Sequence, residues 1–321
     1  MWSSPESAQR PPGGARPWSR LWTVLRAPTH ALWWGPQQLW DAGPCGALSR
    51  TAPATAAAAP TPHADFAAWC AAHPGHRARL WLSAWRTQEL VVDAALPLHD
   101  DAALLAYARP LLRHYHGEAA ERWSLAAWRT PGCQGVSALV DPDIDTLRHQ
   151  AAAHGVVLSA VQPWWARVCA LALAMPAVRE AAPDGRLLIT ERQLLIDVQL
   201  AAGGVRQVQV RRLPAAHRQA LVDWLADEAL LATGNGDGGA GTAARTTPLW
   251  HIGWGCGEED AGAPPPHGTA RSPLAVALAR RLRTLTPDSA GHGAHPPPGW
   301  WGEPAAGSRR DPRAHLTKEA A

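Results

Sequence analysis

The sequence predicts an α/β protein with mixed sheets arranged as two related halves. The clearest sign is residues 185–213, GRLLITERQLLIDVQLAAGGVRQVQVRRL. Apolar runs at 187–190, 194–200 and 205–213 are separated by Glu191-Arg192-Gln193 and Gly203-Gly204, the pattern of a three-stranded antiparallel meander. In the third run Val208 and Val210 alternate with Gln207, Gln209 and Arg211, so the sheet is expected to be half solvated or covered by a helix on one side only. A second sign precedes it: a strand, a helix, a strand at 156–161 and an apolar helix from Pro163, an order that suggests a crossover with partly parallel pairing. The third sign is that strands followed by helix, strand and helix occur twice. The second occurrence is the cleaner: strands over 187–213, a helix over 214–231, a strand over 249–254 and a basic helix over 273–285.

Composition excludes several chemistries. The 321 residues carry 30 Lys+Arg against 27 Asp+Glu, a net charge of +3 without a concentrated basic run, so nothing demands nucleic acid. Lys318 is the only lysine and lies in the tail, which removes Walker-type phosphate loops and Schiff-base mechanisms that need a buried lysine. The 18 tryptophans, beside one Phe, read as core filler and amphipathic anchors. Five scattered cysteines, Cys45, Cys70, Cys133, Cys169 and Cys256, never form a C-x-x-C pair and suit a reduced, cytoplasmic chain. No apolar run has the length of a signal peptide or a membrane span, the best being 168–178.

In chain order, residues 1–26 are Pro/Gly/Ser/Arg-rich and expected to be disordered. His30 to Trp40 forms a hairpin about Gly35-Pro36, and 44–62 is a low-complexity insertion. Asp65 caps a short helix that His73-Pro74-Gly75-His76 stops. A second hairpin is expected from 79–85 and 89–95 about Arg86-Thr87-Gln88. A long helix starts near Asp100 or Asp101, with Leu104, Leu105, Tyr107, Ala108, Leu111, Leu112 and Tyr115 on its apolar stripe and Pro110 expected to kink or divide it. Strands at 123–128 and 136–140 bracket Thr130 to Gly135. Asp141 is the expected N-cap of the next helix, Pro142 its first residue and Gly155 its stop. After the meander, Leu221, Val222, Trp224 and Leu225 should face inward, a Gly-rich loop spans 233–247, and the tail 286–321 is expected to be disordered.

The βββαβα order is that of half an actin-like, ribonuclease-H-type fold. The chain resembles the cytoplasmic actin-like proteins of type IV pilus and type II secretion machines, the PilM and GspL families. The similar stretches are APTHALWWGPQQLW, WSLAAWRTPGCQGVSALVDPDIDTLRHQAAAHGVVLSAVQP, the meander and LWHIGWG, within 27–285. The resemblance implies an α/β, mixed-sheet actin-like domain pair acting as a non-catalytic cytoplasmic scaffold in bacteria. Its partners would be proteins, inner-membrane assembly components among them, with neither nucleic acid nor direct membrane insertion. The alternatives are a nucleotide-binding ATPase or ATP-switched regulator of the same fold, or an orphan α/β binding domain.

Actin-like ATPases hold phosphate and Mg²⁺ at an Asp-Gly-containing first hairpin. The matching turn here, Trp34-Gly35-Pro36-Gln37, has no carboxylate, and Pro36 removes an amide. The strand end His251-Ile252-Gly253-Trp254-Gly255 resembles the one near adenosine, with Trp254 where a small residue is expected. Gly35, Gly253 and Gly255 are therefore the cofactor-binding candidates if nucleotide binding is retained; no cofactor, catalytic residue or metal is otherwise expected. The meander's only acidic residues near its turns, Asp184 and Glu191, offer no evident place for chemistry.

Other motifs have plainer readings. Gly234 to Gly239 satisfies G-x-G-x-x-G but follows a helix and enters a Thr/Ala/Gly loop, the wrong context for dinucleotide binding. Asp141, Asp143 and Asp145 have calcium-loop spacing, yet Thr146 and Ala152 stand where Gly and Glu are needed, so helix capping is expected. His73 with His76, and His114 with His116, lack a carboxylate or Cys at ligand spacing and read as solvated or capping histidines at helix ends. Cys133 is the one cysteine in an exposed-looking glycine turn, without an identifiable base.

Overall fold

The strand Thr29–Trp34 (β1) is apolar almost throughout because both its faces are covered. Leu32 and Trp34 join one core cluster and Ala31 and Trp33 another, following the two-residue period of a strand. The computed structural model describes residues 28–45, 60–130, 132–179, 184–201, 204–215, 218–234, 248–254 and 273–285. Leu39–Cys45 (β2) runs antiparallel to β1 and Thr61–His63 (β3) antiparallel to β2. Helix Phe66–Ala72 (α1) follows, capped by the Asp65 carboxylate accepting the Ala68 N–H at 2.8 Å. Arg77–Leu82 (β4) then pairs parallel with β1, and Val157–Pro163 (β8) parallel with β4, giving the order β3-β2-β1-β4-β8.

The second sheet repeats this plan. Gly185–Glu191 (β9), Leu194–Ala201 (β10) and Gly204–Arg212 (β11) form the antiparallel meander. Helix Arg218–Gly234 (α6), strand Leu249–Trp254 (β12) parallel to β9, helix Pro273–Arg281 (α7) and strand Leu282–Thr284 (β13) complete it. Its order is β11-β10-β9-β12-β13. In each half the first strand is central, flanked by the antiparallel second and third on one side and the parallel fourth and fifth on the other. The fold is therefore a mixed-sheet, actin-like one with two related halves.

Between β4 and β8 the first half carries a third sheet, ordered β5-β7-β6 from Thr87–Val92 (β5), Ser124–Thr130 (β6) and Cys133–Leu139 (β7). Helix Asp101–His116 (α2) covers one face through Leu104, Ala108 and Leu112, and a 3₁₀ turn, Glu118–Arg122, follows it. Helix Ile144–Ala153 (α3) packs with α1 on the first sheet, burying Leu147 and Ala151. Helix Trp164–Ala174 (α4), followed by the short Pro176–Arg179 (α5), joins the halves. Trp164, Trp165, Val168 and Cys169 of α4 share one core with Trp33 and Trp81 of the first sheet and Leu187, Ile189, Ile196 and Trp250 of the second.

Several expectations need correction. Arg79 to Ala95 is not a hairpin: β4 pairs with β1 and β8 while β5 pairs with β7, because the chain leaves the first sheet at Ser83 to build the third. The second sheet is not open on one side, since Leu188 and Leu195 pack under α6 and α7 while Leu187 and Ile196 face α4. The edge strand β11 is wet toward its end: a bulge opposite Gln199 and Leu200 lets Val205 and Val208, three residues apart, both be buried, while Val210, on the same face as Val208, is exposed. Pro110 neither divides nor ends α2. The N-cap of α3 is Asp143, whose carboxylate accepts the Thr146 N–H at 2.7 Å; Asp141 and Pro142 lie before the helix. Part of the expected 44–62 insertion is strand, at Pro44, Cys45, Thr61 and Pro62, and the basic helix ends at Arg281 where β13 begins. The segments expected to be disordered, 1–26 and 286–321, and most of the 233–247 loop lie outside the described residues.

Candidate functional site at the junction of the halves

In α/β sheets of this type ligands settle outside the carboxyl ends of the strands. Those ends carry Gly35 after β1, Ser83 and Ala84 after β4, Glu191 closing β9 and Gly253 near the end of β12. Glu191 spans the two halves. Its Oε1 accepts from the Ser83 hydroxyl and its Oε2 from the Ala84 N–H at 2.8 Å. Ser83 is held in turn: its N–H donates to the Trp34 carbonyl at 3.0 Å, and its Oγ accepts the Trp85 N–H at 3.1 Å. Both Ser83 and Glu191 have 0% exposure. Burial pushes the Glu191 carboxyl up to about 7, opposed by the hydrogen bonds from Ser83 and Ala84 and by the charge of Arg192. The site is thus a closed carboxyl–hydroxyl clasp between the halves.

The first hairpin turn is strapped as well. Arg86 donates from Nε to the Gly35 carbonyl at 2.8 Å, from Nη2 to that of Pro36 at 3.4 Å and from Nη1 to that of Asp141 at 3.1 Å. Its guanidinium lies over the Trp34 ring, 4.2 Å from the centroid. Gly35 is a glycine for packing reasons: a Cβ there would meet the buried Trp33 ring at 2.6 Å. The same holds at Gly253, where a Cβ would lie 2.6 Å from His251 Cε1 and 2.9 Å from Thr190 Oγ1. His251 Nε2 and Thr190 Oγ1 are 2.8 Å apart, and burial pushes the His251 pKa down to about 4, with Arg218 adding to the effect. Gly253→Ala is therefore expected to cost about 1–3 kcal/mol by forcing this buried pair aside, read as a drop in the urea midpoint at unchanged slope. Gly255 lies outside the described residues.

The remaining candidates separate. Asp143 caps α3 and Asp145 pairs with Arg148 at 3.0 Å, as capping and surface roles require. His114 and His116 are exposed at the end of α2, their rings beside Tyr115 and Trp123. Cys133 is buried, contrary to the exposed turn expected, and burial raises its thiol pKa. Gly234 ends α6, and residues 235–239 lie outside the described residues. His73 and His76 are not simply solvated: His73 lies beside a carboxylate, Asp41, that the sequence places 32 residues before it, and His76 meets His30, which is bonded to the same carboxylate. Glu191 was noted in the sequence but given no role, because its partner Ser83 lies 108 positions away in sequence. A strand-ending Glu beside apolar neighbours was the available signal.

Neither a family model nor a curated protein matches the chain. Among solved structures it is similar to the cytoplasmic domain of EpsL, an inner-membrane component of the type II secretion system of Vibrio cholerae, at 12% identity and TM-score 0.39, covering 79% of this chain and 93% of that one. It is also similar to the PilM–PilN type IV pilus biogenesis complex, at 13% identity and TM-score 0.45 over 81% of this chain and 88% of that one. A Bacteroides thetaiotaomicron protein with an actin-like ATPase fold and unknown function is 7% identical at TM-score 0.45, with 85% and 94% covered. The fold stated above rests on strand order and register.

Proposed function

We infer that this chain is a non-catalytic, actin-like scaffold of a bacterial pilus or secretion assembly that works on the cytoplasmic side by binding protein partners. The observation that carries the non-catalytic part is the clasp: where such a fold would admit a nucleotide, Glu191 is buried against Ser83 and Ala84. The neighbouring turn, Trp34-Gly35-Pro36-Gln37, lacks a carboxylate, and Arg86 already occupies its carbonyls. Supporting the binding part are the edge strands of the three sheets, which keep one side unpaired within the described residues and can accept a partner strand. No helix among the described residues is long and apolar enough to cross a membrane.

Calorimetry and crosslinking test this reading together. Mg-ATP titrated into the full chain is expected to give no heat of micromolar binding, and crosslinking in native cells is expected to recover an inner-membrane component of a pilus or secretion apparatus. Micromolar Mg-ATP binding would revive the ATP-switched reading. Crosslinks to no such component would remove the assembly role.

A further inference from the structure

On the face of the first sheet that α1 covers, at the end of β1 remote from Gly35, four histidines gather around one aspartate. His30 lies on β1, Asp41 on β2, His63 on β3, His73 caps the end of α1 and His76 precedes β4. His30 Nδ1 is 2.8 Å from Asp41 Oδ2, and His73 Nε2 is 3.9 Å from the same oxygen. One ligand atom from each of these three residues falls within 4.8 Å of the others. Asp41 also accepts the Trp69 indole N–H on Oδ2 at 2.8 Å and the Gly43 N–H on Oδ1 at 2.7 Å, so its carboxylate is fixed in place.

Two contacts decide which nitrogens are free to bind. His73 Nδ1 lies 3.0 Å from the Trp69 carbonyl oxygen. A carbonyl only accepts, so Nδ1 carries a proton, and in the neutral ring it is the Nε2 lone pair that faces Asp41. A lone pair facing an anionic oxygen is satisfied by a proton or by a metal cation between them, and the 3.9 Å separation is long for a shared proton. His30 Nε2 lies 3.0 Å from His76 Nδ1, so His30 can donate from Nε2 to His76 and leave Nδ1 as a ligand. An imidazole whose second nitrogen is held by a carbonyl or another acceptor is the arrangement that orients metal-binding histidines. Beside them His63 Nε2 is buried without a hydrogen-bond partner, its ring 5.7 Å from that of His73. Two imidazoles and a carboxylate suit a divalent ion of the zinc class.

We propose that His30 Nδ1, Asp41 and His73 Nε2 bind a divalent transition-metal ion of the zinc class, with His76 orienting His30 and a fourth position left to water or to His63. Binding displaces the proton shared by His30 and Asp41. It also parts those atoms to the spacing of roughly 3.3 Å that two donors about 2.0–2.1 Å from a tetrahedral ion adopt. The ion would tie β1, β2 and the end of α1 together.

The test uses the full chain stripped with EDTA and titrated with Zn²⁺ against a chromophoric chelator, with Co²⁺ as a spectroscopic probe. Wild type is expected to bind one equivalent at micromolar affinity or better, to show the visible absorption of four- or five-coordinate Co²⁺, and to melt at a higher temperature with Zn²⁺. His73→Gln, at a half-buried position, and Asp41→Asn should each weaken Zn²⁺ by at least about 10-fold and abolish the melting shift. His114→Ala, on exposed α2, should change neither. If Asp41→Asn does not fold, His73→Gln decides alone. Absence of stoichiometric binding in wild type, or binding and melting shift unaltered by His73→Gln, would overturn the site and leave a metal-free hydrogen-bonded cluster.

Discussion

Glu191→Gln is expected to stabilise the protein by up to about 3 kcal/mol at pH 8 and to change its stability little at pH 4. The Glu191 carboxyl has an ordinary value of 4.5 and stands at about 7 in the folded chain, so it stays protonated where the unfolded chain has already ionised. Between pH 4.5 and 7 the folded state binds the extra proton, and the stability it contributes is therefore full below 4.5 and lost as pH rises to 7. Gln cannot ionise, so it escapes that loss while still offering an oxygen to the Ala84 N–H. Its amide must reverse the hydrogen bond with Ser83, which makes the figure an upper bound.

The whole protein's pH curve does not isolate this effect. Glu89, raised to about 7 by burial despite its contact with Ser137, acts in the same direction and window. His251 acts oppositely: lowered from 6.5 to about 4, it stays neutral when folded, and stability falls as pH drops through that range. The variant must therefore be compared with wild type at each pH by urea unfolding. A difference that is equal at pH 4 and pH 8, or a variant less stable at pH 8, would show that the clasp holds an ionised Glu191.

How far residues announce structure depends on how local their interactions are. The meander was legible because its turns carry Gly203-Gly204 and the three-residue Glu191-Arg192-Gln193 break, and the register that follows is antiparallel throughout. The halves were legible from element order alone. The Arg79 to Ala95 segment was not, since two apolar runs joined by a polar break look the same whether they pair with each other or part into different sheets. Nor was the bulge that lets Val205 and Val208 both turn inward, because one unpaired residue leaves no compositional trace. The clasp and the histidine cluster were hidden for a related reason. Glu191 with Ser83, and Asp41 with Trp69, are brought together by strand order over separations of 108 and 28 residues. A site assembled from single residues at unrelated spacings has no motif, even where each member, such as His73, is visible by itself.

Trp164→Ala is expected to cost about 3–5 kcal/mol, while Trp164→Phe is expected to stay within about 1 kcal/mol of wild type. Trp164 has 0% exposure and lies on α4 in the core common to both principal sheets, with Trp33 and Trp81 on one side and Leu187 and Trp250 on the other. Truncation to Ala removes that contact from both halves and leaves a cavity that two close-packed sheets cannot collapse to fill. One term opposes it: the Trp164 indole N–H is buried without a hydrogen-bond partner, as are those of Trp81 and Trp250. Leaving such a donor unpaired costs about 1–3 kcal/mol, so deleting it returns part of the cavity cost, and the Ala variant should fall toward the lower end of the range. Phe removes the unpaired donor while keeping most of the volume, which is why its two effects nearly cancel. In a chain with 18 tryptophans and one phenylalanine, Trp stands at this position where Phe would serve, as a large apolar side chain whose polar atom goes unused. Urea midpoints of the two variants separate these contributions. An Ala variant within 1 kcal/mol of wild type would mean that α4 does not bind the halves into one core, and a Phe variant as damaging as Ala would mean that the indole N–H has a partner after all.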